Sequence, residues 1–313
     1  MSNEKVNYTD CRDAVFQELF KLAKIDSRVM VLSSDTGAFI FDQFKKELPN
    51  QFFNFGITEQ NIMSVAAGLA RMGRRPFVFG ISNFVTLRCL EQIRVDICGM
   101  NLPVVILGTG TGLIYSSDGL THHITEDISV MRALPNMQIF SPSDHNLLAS
   151  IVNVAYRHEG PTYIRFDKGP FVPKYEYNPH GVNICYTIWP SKESKSPHIV
   201  ANGVTMDIAL RVRELLLKYD IHIGIIDVFR LKPFRNADLV RYIEDSVSYI
   251  VTLEEHNIIG GLGSIIREFI SDVSLNIPVY VRGIQDKFIF DVGDRDYLRK
   301  LNGIDAESVA KYI

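Results

Sequence analysis

Two rounds of alternation constrain what this chain can fold into. Short apolar runs of strand length are separated by longer segments with helical spacing of their apolar residues. The runs Val29–Leu32, Phe52–Phe55, Phe77–Phe79, Val104–Leu107, Met137–Phe140 and Thr162–Phe166 read as strands. Between them, Glu59–Arg71, Phe84–Met100, Glu126–Ala133 and Asp144–Tyr156 read as helices. Strands buried on both faces are continuously apolar, so the pattern predicts a parallel sheet covered by helices on both sides. An opening helix over Tyr8–Ala23 places Val15, Leu19 and Leu22 on one face, with Phe16 and Phe20 beside it. Thr9 or Asp10 is the expected cap.

From Pro170 to Pro197 the rhythm stops. This stretch holds five prolines, several lysines and the only tryptophan, Trp189. Its interleaved aromatics predict a linker lying along the surface. A second alternation follows, with strands at Ile199–Ala201, Ile221–Val228, Tyr249–Leu253 and Val279–Arg282. Met206–Lys218, Leu262–Ile270 and the end of the chain read as helices. The fold class expected is therefore α/β, with two parallel-type domains over residues 1–185 and 186–313.

Composition narrows the function. Net charge is -3 over 313 residues, without the basic surplus that grips nucleic acid or an anionic membrane. No apolar run is long enough to span a bilayer. The four cysteines, Cys11, Cys89, Cys98 and Cys185, are scattered. They form no C-x-x-C pair, which argues against a zinc or redox motif. With a polar opening segment lacking a signal pattern, a cytoplasmic location is expected.

Three stretches stand at predicted strand-to-helix junctions of the first domain, where ligands bind in open α/β sheets. In Phe53–Asn61 a strand ends, a glycine turn follows and a helix opens at Glu59. By spacing alone, Glu59 is a first-turn acid favoured by the helix dipole. In Arg75–Arg88, Phe84 reads as a core aromatic of the next helix. Gly108–Gly112 runs into Ser117–His123, a glycine-rich loop with Asp118, His122 and His123. This is not a dinucleotide fingerprint. His122 and Glu126 lie four apart, but no third metal ligand is evident. A substrate loop fits that composition better. In the second domain, Gly260, Gly261 and Gly263 follow Glu254–Asn257, which suggests close helix–sheet packing more than an anion site.

Taken in order, FGITEQN, RPFVFGISNF, SDGLTHHITEDISVMRALPNM, SPSD and EEHNIIGGLGS resemble the transketolase family of thiamine diphosphate enzymes. The resemblance covers the pyrimidine-binding and C-terminal domains, nearly the whole chain. The wording around SNF and HHITED is most similar to transketolases split into two subunits. That resemblance implies the following roles. Glu59 bonds the N1′ nitrogen of the cofactor's aminopyrimidine, with a carboxyl pKa raised by burial. Phe84 stacks on the pyrimidine, Ile81 and Leu87 line the same pocket, and Asp35 stands near the thiazolium. His122 faces the reactive carbon and helps move protons. Asp118 reads a sugar hydroxyl, and Arg165 binds substrate phosphate. Gly110 and Phe39 stand where a phosphate-binding histidine and serine occur in full-length relatives, so the phosphate site is expected to be partial.

The resemblance also implies what lies elsewhere. The diphosphate-binding half and its Gly-Asp-Gly segment do not precede Glu59, so a partner subunit is expected to carry most of the Mg²⁺ and diphosphate contacts. The expected assembly is two-plus-two, with this chain pairing with its own copy and its C-terminal domain serving mainly in subunit packing. The activity implied is transfer of a two-carbon glycolaldehyde unit from a ketose or ketose phosphate to an aldose. The alternatives are a decarboxylating thiamine diphosphate enzyme, such as a deoxyxylulose-phosphate synthase or 2-oxo acid dehydrogenase component, and a non-catalytic interaction subunit.

Overall fold

The computed structural model describes residues 10–169, 174–175, 185–234 and 237–313. The first domain has six strands: β1 Val29–Ser33, β2 Phe52–Asn54, β3 Arg75–Ile81, β4 Val105–Thr109, β5 Gln138–Phe140 and β6 Thr162–Phe166. They lie in the order β5-β6-β4-β3-β1-β2, all parallel. In β1 every residue is buried, and successive side chains enter opposite layers. Met30 and Leu32 pack with Ile62, Met63 and Ala66 of helix Glu59–Arg71. Val29 and Val31 pack with Val15, Phe16 and Leu19 of helix Cys11–Ile25. Asp10 caps that helix, accepting from the Arg12 amide at 2.7 Å. The earlier part of the predicted Tyr8–Ala23 helix lies outside the described residues.

The second domain holds β7 Tyr186–Trp189, β8 Ser196–Ala201, β9 Gly224–Val228, β10 Arg230–Lys232, β11 Val247–Asn257 and β12 Val279–Ile284. Five of these make the sheet β12-β11-β8-β9-β7, parallel except at the β7 edge. Two features differ from the sequence reading. Trp189, expected in a linker, belongs to β7, because Tyr-Thr-Ile-Trp is β-branched and aromatic and finds the open edge of β9. β10 leaves its own domain and pairs antiparallel with β5, closing the edge of the first sheet. Three residues are too few to register as a separate apolar run. Thirteen of the predicted linker residues, 170–173 and 176–184, lie outside the described residues.

The helix expected over Phe84–Met100 is broken. It runs as α-helix Ser82–Thr86, a 3₁₀ turn Leu87–Cys89, a short α turn Leu90–Gln92 and a π-helical stretch Ile93–Cys98. Changes of helical pitch of this kind concentrate at functional sites. The apolar residues Val85, Cys89, Ile93 and Ile97 stay buried throughout, so spacing alone does not reveal the breaks.

The domains are joined by a continuous apolar cluster and by buried polar contacts. Asp227, at the end of β9, is fully buried. It accepts from the Ser143 hydroxyl of the first domain and from the Tyr175 hydroxyl at 2.6 Å. Burial pushes its carboxyl from the ordinary 3.8 up to about 7, despite those two donors. With the folded value above the unfolded one, the stability it confers is whole below about pH 4 and is lost as pH rises through about 7. Asp227→Asn should therefore flatten the fall in thermal midpoint across that window. An unchanged pH slope in the variant would contradict this assignment.

Candidate active site

The carboxyl ends of β1, β3, β4 and β6 face one edge of the first sheet, and the residues singled out above gather there. The turn after β2 is organised by Asn54. Its side-chain oxygen accepts from the Gly56 amide at 2.9 Å and from the Asp35 amide at 3.2 Å, and its amide reaches the Asp35 carboxylate at 3.3 Å. Asp35 is exposed and has φ of +60°. A non-glycine residue held in the left-handed region costs energy and recurs at functional loops. Gly56 turns the chain with φ of +67°, and Glu59 becomes the first residue of the next helix.

Glu59 is 3% exposed and is not alone in its pocket. Arg88 Nη1 donates to Glu59 Oε2 at 2.8 Å. The same guanidinium lies 4.3 Å from the Phe84 ring centroid. Sequence reasoning missed Arg88, which becomes visible only when the 3₁₀ turn after Thr86 carries it back toward Glu59. Ile81, half-buried, ends β3, and Leu87 is exposed beside the same turn.

Phe84 contacts His122 edge to face, with centroids 5.3 Å apart. Asn83 fixes the glycine-rich loop by donating to the Thr121 carbonyl at 2.6 Å. His122 Nδ1 lies 3.0 Å from Thr121 Oγ1. Asp118 is exposed two residues beyond half-buried Ser116, and Gly119 turns the loop at φ of +70°. Tyr115 stands 5.6 Å from His122, and the Lys168 ammonium lies 4.9 Å from the Tyr115 ring. Glu59, Arg88, Phe84, His122, Tyr115 and Lys168 thus form an unbroken chain of contacts.

Arg165 is not in that chain, contrary to the expected phosphate contact. It is 6% exposed, and its Nε and Nη2 bond the two oxygens of Asp127 at 2.8 and 3.3 Å. Burial would push the Asp127 carboxyl up, but Arg165, His256 and hydrogen bonds from Arg165 and Tyr163 outweigh it and hold it below the usual range. Strand alternation explains the placement. Arg165 shares its face of β6 with Tyr163, whose hydroxyl also donates to Asp127 at 2.7 Å. The first exposed cation past the strand end is Lys168.

The second domain reaches this site from behind. Glu255 accepts from the Leu113 amide of the glycine-rich loop at 2.6 Å. It is bonded by Arg295 Nε at 2.9 Å and Arg299 Nε at 2.7 Å. Arg295 also pairs with Asp167, next to Lys168, and donates to the Thr111 carbonyl at 3.3 Å. Burial alone would raise the Glu255 carboxyl, but the two arginines overcome it and bring it down to about 2. Gly112 is obligatory here, since a Cβ would lie 2.5 Å from Glu255 Oε1. The glycines after β11 pack closely, as expected: Glu254 accepts from the Leu262 and Gly263 amides at 2.6 and 3.0 Å, occupying that helix start itself.

Residues 7–172 match the transketolase pyrimidine-binding domain, and residues 191–309 match the transketolase C-terminal domain. The chain belongs to the transketolase family. It is 33% identical to a putative transketolase C-terminal section from Methanocaldococcus jannaschii, over 98% of this chain and 96% of that one. It is 34% identical to one subunit of the apulose-4-phosphate transketolase from Actinobacillus succinogenes, over 90% and 89%. A solved structure described as a split-gene transketolase in an inactive β4 tetramer superposes with a TM-score of 0.82, at 34% identity, covering 97% of this chain and 96% of that one. Within the family, this chain is a split-type subunit of a thiamine diphosphate-dependent transketolase.

The site suits that cofactor on its own geometry. Arg88 sets a flat, delocalised cation against the Phe84 face while it donates to Glu59. A protonated aminopyrimidine asks for the same two contacts. Among the described residues, no group of three or more His, Cys, Asp or Glu side chains could hold a metal ion. No described helix is long and apolar enough to cross a membrane.

Proposed function

We infer that this chain supplies the cofactor-activating and sugar-binding residues of a two-chain transketolase, which moves a glycolaldehyde unit from a ketose or ketose phosphate to an aldose. The observation that supports this reading is the contact chain from Glu59 through Arg88 and Phe84 to His122, an acid, an aromatic face and an imidazole in the order the reaction asks for. Thiamine diphosphate supplies the nucleophilic carbon and the electron sink for breaking the bond between ketose carbons two and three.

Glu59, now paired with Arg88, would hold the proton at the aminopyrimidine N1′ of the bound cofactor. Phe84 offers the stacking face, and Ile81 and Leu87 form apolar walls. Asp35 places a carboxylate on the thiazolium side. With Nδ1 engaged by Thr121, His122 has Nε2 to take a proton from the donor hydroxyl and return it. Asp118 accepts from a sugar hydroxyl. Lys168 replaces Arg165 as the cation for an anionic sugar end.

The partner subunit carries the diphosphate-binding domain and the Mg²⁺ contacts, and two copies of each chain make the working assembly. The inactivity of the β4 form of the split-gene relative supports this dependence. The test is the donor. Given a ketose phosphate and an aldose, the two-chain complex should produce an aldose shortened by two carbons and a ketose lengthened by two, with no carbon dioxide. Pyruvate consumption with carbon dioxide release, and no glycolaldehyde transfer, would replace this reading by a decarboxylating one.

A further inference from the structure

The space above Gly110 is already filled. Gly110 has φ of +80°, and a Cβ there would lie 2.1 Å from the Tyr115 ring. Tyr115 folds back over this glycine, is half-buried and touches two groups of the site. One is the His122 imidazole, 5.6 Å away and tilted by 58°. The other is the Lys168 ammonium, 4.9 Å from the ring centroid. Of the other charges acting on the ring, the Asp118 carboxylate is exposed, and two are paired. Arg12 is chelated by Asp10, and Asp167 by Arg295. Lys168 has no carboxylate partner among the described residues, and the Tyr115 hydroxyl has no hydrogen-bond partner there. Burial keeps the phenol pKa above its ordinary value, so the ring carries no charge at neutral pH. An aromatic face attracts an ammonium and fixes a group that would otherwise wander on a flexible four-carbon stem.

We propose that Tyr115 is a specificity-positioning residue: its ring holds Lys168, which does not itself touch His122, so that the site selects open-chain sugars bearing an anionic group remote from the reacting carbon. This rests on the sugar-transfer reading above. It separates the ring from the hydroxyl, because Tyr115→Phe keeps the face that Lys168 uses and Tyr115→Leu removes it. It also makes the two residues act as a unit, so their effects should not add.

The test uses the two-chain complex with thiamine diphosphate and Mg²⁺, xylulose 5-phosphate as donor, and ribose 5-phosphate or ribose as acceptor. The readout is the ratio of kcat/KM for the two acceptors, which a lower folded fraction would not move. The unaltered complex should prefer the phosphorylated acceptor. Tyr115→Phe should hold that ratio to within about twofold, and Tyr115→Leu should cut it about tenfold, through KM for the phosphorylated acceptor. Lys168→Gln should cut the ratio similarly, and the Leu–Gln double variant should lose little more. Tyr115→Leu with the ratio intact, Tyr115→Phe losing as much as Tyr115→Leu, or fully additive losses would each overturn the proposal. No preference in the unaltered complex would overturn it too. No transfer at all by the unaltered complex would instead remove the sugar-transfer reading, and this inference with it.

Discussion

Glu59→Ala is expected to lower turnover of the two-chain complex by about 10²–10⁴-fold, the range for losing a positioned proton-transfer group. The fold should survive. Glu59 makes its ion pair with Arg88, whose side chain is 42% exposed, so truncation returns the guanidinium to water instead of stranding it. The backbone of Glu59 stays at the first position of its helix, where a side chain is not needed to pair the amides. The circular dichroism spectrum and thermal midpoint of the variant should therefore match those of the parent chain while transfer is lost. Robust transfer by Glu59→Ala would remove the assignment of Glu59 as the cofactor-activating acid.

The second large effect concerns stability, and it lies in the domain that looked least informative. Arg295→Ala is expected to destabilise the chain by roughly 3–5 kcal/mol, the cost of stranding buried charges by deleting their partner. Asp167 and Glu255 are 4% and 2% exposed at their side chains, and Arg295 bonds both. Arg299 can still answer Glu255, at 2.7 Å, so the carboxylate left uncompensated is Asp167. Burial already pushes the Asp167 carboxyl up even with Arg295 present, and the variant removes the charge that opposes that rise. Arg295→Lys should rescue only part of the loss, because an ammonium cannot span both carboxylates and the Thr111 carbonyl as a guanidinium fork does. Denaturant unfolding measures this directly. A change below about 0.5 kcal/mol, the size typical of surface substitutions, would show that the cluster does not hold the domains together.

The sequence and the structure agree where local pattern decides the outcome. Continuous apolar runs form buried parallel strands, and Glu59, Phe84 and His122 come together because each lies in the segment that follows a strand's carboxyl end. What was hidden depends on contacts between distant residues. Glu255 and Arg295 lie 40 positions apart, and nothing near either one marks it as a partner of the other. Arg165 stands at a strand end that reads as a site edge, but period-two alternation turns its side chain toward Asp127. Arg88 and Tyr115 escape notice for another reason: each folds back over a neighbour, Phe84 and Gly110, through a local turn that hydrophobic spacing does not register. The C-terminal domain also holds the glycine-rich loop of the first domain, through Glu255.

The proposed division of labour between two chains underlies every step assigned to this site. The decisive measurement is glycolaldehyde transfer from a ketose phosphate, with thiamine diphosphate and Mg²⁺ present, by this chain alone, by a chain carrying the diphosphate-binding domain alone, and by the two mixed. Transfer is expected only in the mixture, saturating at equal amounts of the two chains. Transfer by this chain alone, or a formed and cofactor-loaded complex that moves no two-carbon unit, would contradict that division.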